Sequence, residues 1–330
     1  MATLYVMEQG CKLRKVGLRV RVEKEGEQLA EFPLIKVDRV VIYGNVSITT
    51  PLMSYLLREG LPASFLDVRG RAKGELRALF SPAGELRKSQ YCLTLDRERQ
   101  LYLCSSIVRA KIRNQRTLLQ RYVRRSGRIE PDGALDYLLR SADEASGAMS
   151  LEELRGLEGR STAVYFRALR RFVPDSLEFY GRNRRPPKDP MNAMLSLGYS
   201  LLLVNVMGAI ESEGLDPYIG YLHSDRYGKP SLALDLMEEW RPLVVDSLVL
   251  SLVNRKVLDR DDFIEEEGSV LFKDHAARKF ISQYNGYLYH RFKHPDRKEP
   301  VTLLEALQLQ VKRFCSFLRH GTPYEPFMTR

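Results

Sequence analysis

Twenty consecutive residues, Met191 to Ile210, carry no charge, and this stretch constrains the fold more than any other feature. As a helix it is long enough to span a bilayer. Asn192, Ser196, Ser200 and Asn205 are nevertheless spread around its circumference, and globular caps bracket it, Asp189-Pro190 before and Gly214 after. A helix that is apolar on all sides in such a setting is one buried by its neighbours. The expectation is a helical domain assembled around this element, with no membrane span.

The 330 residues allow two domains. The first part has β periodicity. Leu18, Val20 and Val22 alternate with Arg19, Arg21 and Glu23, a turn follows at Glu25-Gly26-Glu27, and Leu29 to Leu34 and Val37 to Tyr43 add further runs. Thr50 and Pro51 predict a helix start, Gly60 its end, and Ala63 to Val68 a short strand. From about residue 88 helical periodicity takes over and runs nearly to the C-terminus. Turn formers at Ser81-Pro82-Ala83-Gly84 mark the boundary. The fold class is α+β: a small β-rich N-terminal domain (1–84) used for packing and dimerisation, followed by a larger all-α domain (85–330).

Net charge is +10, and its distribution says more than its total. No acidic residue occurs between Arg99 and Arg128, while Arg109, Lys111, Arg113, Arg116, Arg121, Arg124 and Arg125 accumulate; Arg182, Arg184, Arg185 and Lys188 form a second run. Such clusters are the footprint of a polyanion, because each phosphate contact releases counterions. Cys11, Cys92, Cys104 and Cys315 lie far apart without a CxxC pair, as expected for reduced structural thiols in a cytoplasmic protein.

Candidate chemistry lies in the helical part. Ser150 opens a helix with Glu153 three residues on, a capping box. Its apolar row steps through Leu154, Ser161, Tyr165, Leu169 and Phe172, with Glu158 in the buried register. A carboxylate there is costly unless paired or metal-bound. An off-pattern Glu is more often a boundary residue or ion-pair partner, but Gly159 beside it costs about 1 kcal/mol of helix propensity and suits the close approach of a backbone or ligand. His223 lies between two helices. Ser231 then starts a helix on which Asp235 and Glu238 share a face, with Glu239 and Asp246 near the same arc, and Pro242 should kink or restart it. The period does not choose between Glu238 and Glu239. One imidazole with two or three carboxylates suits Mg²⁺ or Mn²⁺ rather than structural zinc. The acidic run Asp259 to Glu267 lacks EF-hand spacing and is expected to be structural, with Asp261 or Asp262 capping a short helix near Phe263.

Three segments then resemble one family. Leu157-Glu158-Gly159 with Ala163 and Tyr165-Phe166, the segment RNRRPPKDPMNAMLSLGY (182–199), and HSDRYGKPSLALDLMEEWRP (223–242) are similar to signatures of the CRISPR-associated adaptation integrases, the Cas-one family. The likeness covers essentially the whole chain. It implies a β-rich domain joined to a helical catalytic domain in a homodimer, with Glu158, His223 and Glu238 as metal ligands and Asp235 as an accompanying catalytic carboxylate. It also implies metal-assisted attack of a DNA 3′-hydroxyl on a phosphodiester of a CRISPR repeat, inserting a short fragment as a new spacer. A Cas-two protein is the implied partner, with a Cas-four nuclease as a further one. Arg184, Arg185, Lys229 and Arg241 are candidate contacts to double-stranded DNA. The alternatives are a repair nuclease acting on branched DNA, with the same chemistry, and a non-catalytic nucleic-acid scaffold with buried ion pairs.

Overall fold

The computed structural model describes every residue except 1, 69, 71, 79–82, 128–132, 184–185, 224–226 and 330. Arg184 and Arg185 therefore lie outside the described residues, as do Ser81 and Pro82 of the expected boundary. The chain divides into two compact units, Met1–Phe80 and Ser81–Arg330.

The first unit holds two four-stranded sheets. One joins β1 (Ala2–Val6), β5 (Val37–Tyr43), β7 (Ala63–Leu66) and β8 (Ala72–Leu76) in that spatial order, parallel except for the last pair. The other joins β4 (Glu27–Pro33), β3 (Arg19–Lys24), β2 (Lys12–Val16) and β6 (Ser47–Ile48). Alternation places Val20 and Val22 in the core, but Leu18 falls in the turn before β3 and stays exposed. Glu25 and Gly26 both take positive φ, the requirement of the tight primed turn that joins β3 to β4. Helix α1 (Thr50–Arg58) buries Leu52 and Leu56, each worth roughly 1.5–3 kcal/mol. Its cap is Thr49 rather than Thr50, because the Thr49 carbonyl accepts from both Leu52 and Met53 N–H at 3.0 Å.

The second unit is mostly helical. Its helices are α2 (Gly84–Leu93), α3 (Arg97–Ser126), α4 (Ala134–Ser146), α5 (Leu151–Leu169), α6 (Pro190–Ser212), α7 (Ser231–Met237), α8 (Ser247–Asn254), α9 (Asp274–Leu288) and α10 (Leu303–His320). Two hairpins interrupt them, β9 (Phe263–Glu266) with β10 (Ser269–Phe272) and β11 (Arg291–Phe292) with β12 (Val301–Thr302). The expected helix at Phe263 is thus a strand: Glu267 and Gly268, both at positive φ, turn the chain back on itself, and Asp259 caps only a single turn ahead of it.

α6 is the one described helix long and apolar enough to cross a membrane, and it is buried inside this unit. The Asp189 side chain accepts from Asn192 N–H at 2.8 Å, and Pro190 opens the helix. Its polar residues are all engaged: Arg182 donates to Asn192 and Ser196, Ser200 donates to the Ser196 carbonyl, and Asn205 reaches Tyr284. Gly198 permits the next layer to approach, since a Cβ there would stand 2.5 Å from Val245 Cγ1. Val245 belongs to a π-helical turn, Arg241–Asp246, inserted between α7 and α8. Pro242 cannot donate into an α-helical ladder, and the chain widens there rather than stopping.

Candidate active site

Four elements of the helical unit meet at the site: α3, α5, the segment before α7, and the junction between α7 and the π-turn. Each is locally determined. The Ser150 hydroxyl accepts from Glu153 N–H at 3.1 Å and starts α5, though Glu153 returns its bond to Met149 N–H rather than to Ser150. Two turns on, Glu158 stands with its side chain a quarter exposed. Gly159 faces open space, with nothing within 4 Å of where a Cβ would be. Among the described residues no backbone from another element approaches it, which leaves room beside Glu158 for a ligand.

His223 is held by a dense set of bonds. Gly220 lies so close to α7 that a Cβ would meet the Ser231 carbonyl carbon at 2.6 Å. That approach lets three successive backbone N–H groups, from Tyr221, Leu222 and His223, donate to the Asp235 carboxylate at 2.6, 3.0 and 2.9 Å. The same carboxylate lies 2.6 Å from His223 Nδ1. Arg155 and Gln100 pin the carbonyls of Leu222 and Tyr221 from α5 and α3. Asp235 is fully buried behind the imidazole, not beside the other acids. An acceptor at Nδ1 fixes the tautomer and leaves the Nε2 lone pair facing outward. Nε2 lies 3.8 Å from Glu238 Oε1.

Glu238 follows α7 and is nearly buried. Arg241 Nε stands 3.1 Å from its Oε1 and Lys111 Nζ 2.6 Å from its Oε2. Lys111 also pairs with Glu158 Oε1, which accepts from the Thr162 hydroxyl at 3.1 Å. Burial opposes ionisation of Glu238, yet Arg241 and Lys111 outweigh it and hold the carboxyl at about 2. Burial likewise works against the Lys111 ammonium, but Glu238 and Glu158 more than offset it and raise its pKa. Glu238 Oε2 is neutralised by this ammonium in a buried place. Among the described residues no three His, Cys, Asp or Glu side chains are grouped closely enough to hold a metal ion; an ammonium separates the two carboxylates instead.

Glu239, which periodicity leaves level with Glu238, points the other way. Its Oε1 accepts from Tyr324 at 2.6 Å and its Oε2 from Phe327 N–H, so it fastens the C-terminal segment. Burial, only partly countered by these bonds, pushes it up to about 8. Asp246 accepts from Tyr165 at 2.8 Å and from Tyr199; burial, opposed by both hydroxyls, raises it to about 6. The Tyr199 ring lies under the Arg241 guanidinium, 4.6 Å from its centroid. Tyr199 thus braces the arginine that neutralises Glu238, while Tyr165 joins it on Asp246.

The residue types gathered here are those that ligate a divalent cation. The site offers two carboxylates and an oriented imidazole, and its field already holds one cation between the carboxylates. Arg241, expected among DNA contacts, is committed to Glu238 and Tyr199. Lys229 lies in the turn leading to α7, where its carbonyl accepts from Ser231. The basic run on α3 does not form one free face. Lys111 is buried in the site, Arg113 pairs with Asp143, and Arg116 donates to the Leu135 carbonyl; Arg124 and Arg125 are exposed. Sequence reasoning counted Lys111 only as charge. Its register between Ile107 and Gln115, in the buried row of α3, is the signal that marks it.

A sequence profile described as CRISPR associated protein Cas1 matches residues 4–286. A CRISPR-associated endonuclease Cas1 of Thermus thermophilus is 37% identical over 333 residues, 100% of this chain and 98% of that protein. The chain belongs to the Cas1 family. A Cas4 exonuclease/Cas1 endonuclease fusion of Geobacter sulfurreducens is 35% identical, spanning 99% of this chain and 60% of the fusion. Among solved structures, a casposase bound to integration product superposes with a TM-score of 0.88 at 25% identity, covering 100% of this chain and 95% of that one. A Cas6-RT-Cas1–Cas2 complex superposes at 0.85 and 24% identity, over 100% of this chain and 36% of its counterpart. The Cas1 relatives are named endonucleases, and the casposase is captured after integration. Nuclease and integrase chemistry on DNA is therefore the class of activity to which this Cas1 chain belongs.

Proposed function

We propose that the chain is a divalent-metal-dependent DNA endonuclease and integrase. It joins the 3′-hydroxyl of a short DNA fragment to a phosphodiester of a CRISPR repeat and so inserts a new spacer. One observation carries this reading: the carboxylates of Glu158 and Glu238 share a cation, and His223 is turned toward them by Asp235. Mg²⁺ or Mn²⁺ suits these donors, and Glu158, His223 and Glu238 would hold it. Bound there, it supplies Lewis-acid stabilisation of charge on the phosphoryl oxygens.

The remaining work belongs to the chain's own residues. Asp235 keeps the imidazole in one tautomer and one orientation. Arg241, resting on Tyr199, keeps Glu238 ionised in a buried place. Glu158 and His223 are the partly exposed edge of the cluster. With open space over Gly159, that edge is where a DNA backbone enters. No protein nucleophile is required, since the attacking oxygen is the substrate's 3′-hydroxyl; water in its place gives hydrolysis.

The proposed substrates are double-stranded spacer precursor and CRISPR repeat, in the cytoplasm and away from membranes. A homodimer formed through the N-terminal unit is part of the proposal, and Leu18, Ile35 and Val68 are exposed apolar side chains there. A Cas2 protein is the proposed partner, supported by the likeness to a chain of the Cas1–Cas2 complex, and the fused relative supports a Cas4 nuclease beside it. The test is strand transfer into a repeat-bearing duplex with Cas2 and Mn²⁺. Glu158→Ala, His223→Ala and Glu238→Ala should each lower it by about a thousandfold, the loss of several kcal/mol of charge stabilisation, with DNA binding retained. Activity in any one variant removes that residue from the mechanism, and equal activity on branched DNA without a repeat favours a repair nuclease.

A second reading has one observation behind it: Lys111 and Arg241 neutralise Glu158 and Glu238 internally, as a non-catalytic nucleic-acid scaffold would require. A scaffold gives no Mn²⁺-dependent thermal shift that Glu158→Ala removes.

A further inference from the structure

We infer that Lys111 is a tethered counter-ion of the metal centre: its ammonium occupies the place between Glu158 and Glu238 that the metal takes, and metal binding requires it to move aside. The inference rests on the metal-site reading and adds a competitor to it. Glu158 comes from α5 and Glu238 from the end of α7, so nothing in the chain's connectivity holds the two acids together. With no cation between them, a buried and a partly buried carboxylate this close repel each other. Lys111 reaches in from α3, with its side chain 5% exposed, and contacts Glu158 Oε1 and Glu238 Oε2. An ammonium and a divalent ion that both need these two oxygens exclude one another.

The supporting frame is stiff. One helical turn beyond Lys111, the Asn114 side chain donates to the carbonyls of Glu239 and Phe327, both at 2.9 Å, which ties α3 to the Glu238 segment. Only the lysine stem, with four rotatable bonds, is free to withdraw. Two consequences follow. The site is organised before metal arrives, and its affinity for metal in the absence of substrate is lower than its three donors alone would give.

The experiment measures Mn²⁺ affinity of the full chain without DNA, by paramagnetic resonance titration, for wild type, Lys111→Met and Glu158→Gln, with melting temperatures taken with and without Mn²⁺. Lys111→Met is expected to bind Mn²⁺ about tenfold more tightly, to melt lower without metal, and to gain more from it. A lysine that merely supports the fold gives the opposite, a weaker site, and unchanged or weakened affinity overturns the inference. In that case loss of binding in Glu158→Gln leaves the metal site itself standing, whereas absence of Mn²⁺ binding in all three chains overturns both. Should Lys111→Met not fold, wild-type chain labelled at lysine Cε decides. The Lys111 resonance, assigned with Lys111→Arg, is expected to shift on saturation with Mg²⁺, and a resonance that does not move overturns the proposal.

Discussion

At the scale of single residues, the site is a set of charges made tolerable by position. Asp235 shows this most directly, because one buried carboxylate accepts three backbone N–H groups and faces the His223 ring. Asp235→Ala should lower Mn²⁺ affinity by roughly 10- to 100-fold, the range found for partners that orient a ligating histidine. It should also cost stability through the unsatisfied N–H groups. Calorimetric titration checks the first effect and thermal melting the second. Asp235→Asn, which keeps most of the shape, should spare stability more than affinity. Glu158 was legible in the sequence as a carboxylate in an apolar register, and Asp235 and Glu238 as neighbours on one helix face. Their division of labour was not, because helical periodicity gives direction to within about a third of a turn and carries no information on which oxygen meets which donor. Glu238 and Glu239 differ by one position, and only the packed C-terminal segment separates their roles.

At the scale of elements, the loop before α7 and the C-terminal segment set the precision of the site. Gly220→Ala would drive a Cβ to 2.5 Å from Ser231 Cβ, and overpacking of this kind costs about 1–3 kcal/mol. The expected outcome is a melting temperature lower by several degrees and a weakened metal site, since the backbone that presents His223 must shift. The C-terminal segment gives a pH test. Glu239 ionises at about 8 in the folded chain against 4.5 in the unfolded one. Its folded pKa is raised, so the neutral acid is favoured, and its contribution is complete below 4.5 and lost as pH rises through 8. Glu239→Gln should therefore flatten the decline of melting temperature between pH 4.5 and 8, and a slope equal to wild type contradicts the assignment. The helices of this unit were legible where caps were strong, as at Ser150 and Asp189-Pro190. The hairpin at Phe263 was not, because its acidic turn reads equally as a helix cap until the β10 partner is placed.

At the scale of the whole molecule, the β-rich unit was read from alternation and turns, and the helical unit from the buried α6, which accounts for twenty uncharged residues without a membrane. What sequence pattern alone left open was the convergence of α3, α5 and α7 on one point, a long-range property that no local period encodes. The basic run on α3 illustrates the gap: the charges that suggested a polyanion are partly spent on internal partners, Lys111 above all. The central claim is that Glu158, His223 and Glu238 form one metal site. The most direct test is a Mn²⁺ binding isotherm on the full chain, wild type beside Glu158→Ala, His223→Ala and Glu238→Ala. One ion bound per chain, with binding lost or strongly weakened in all three variants, is the expected result; binding that is absent from wild type, or that survives all three substitutions, contradicts the claim.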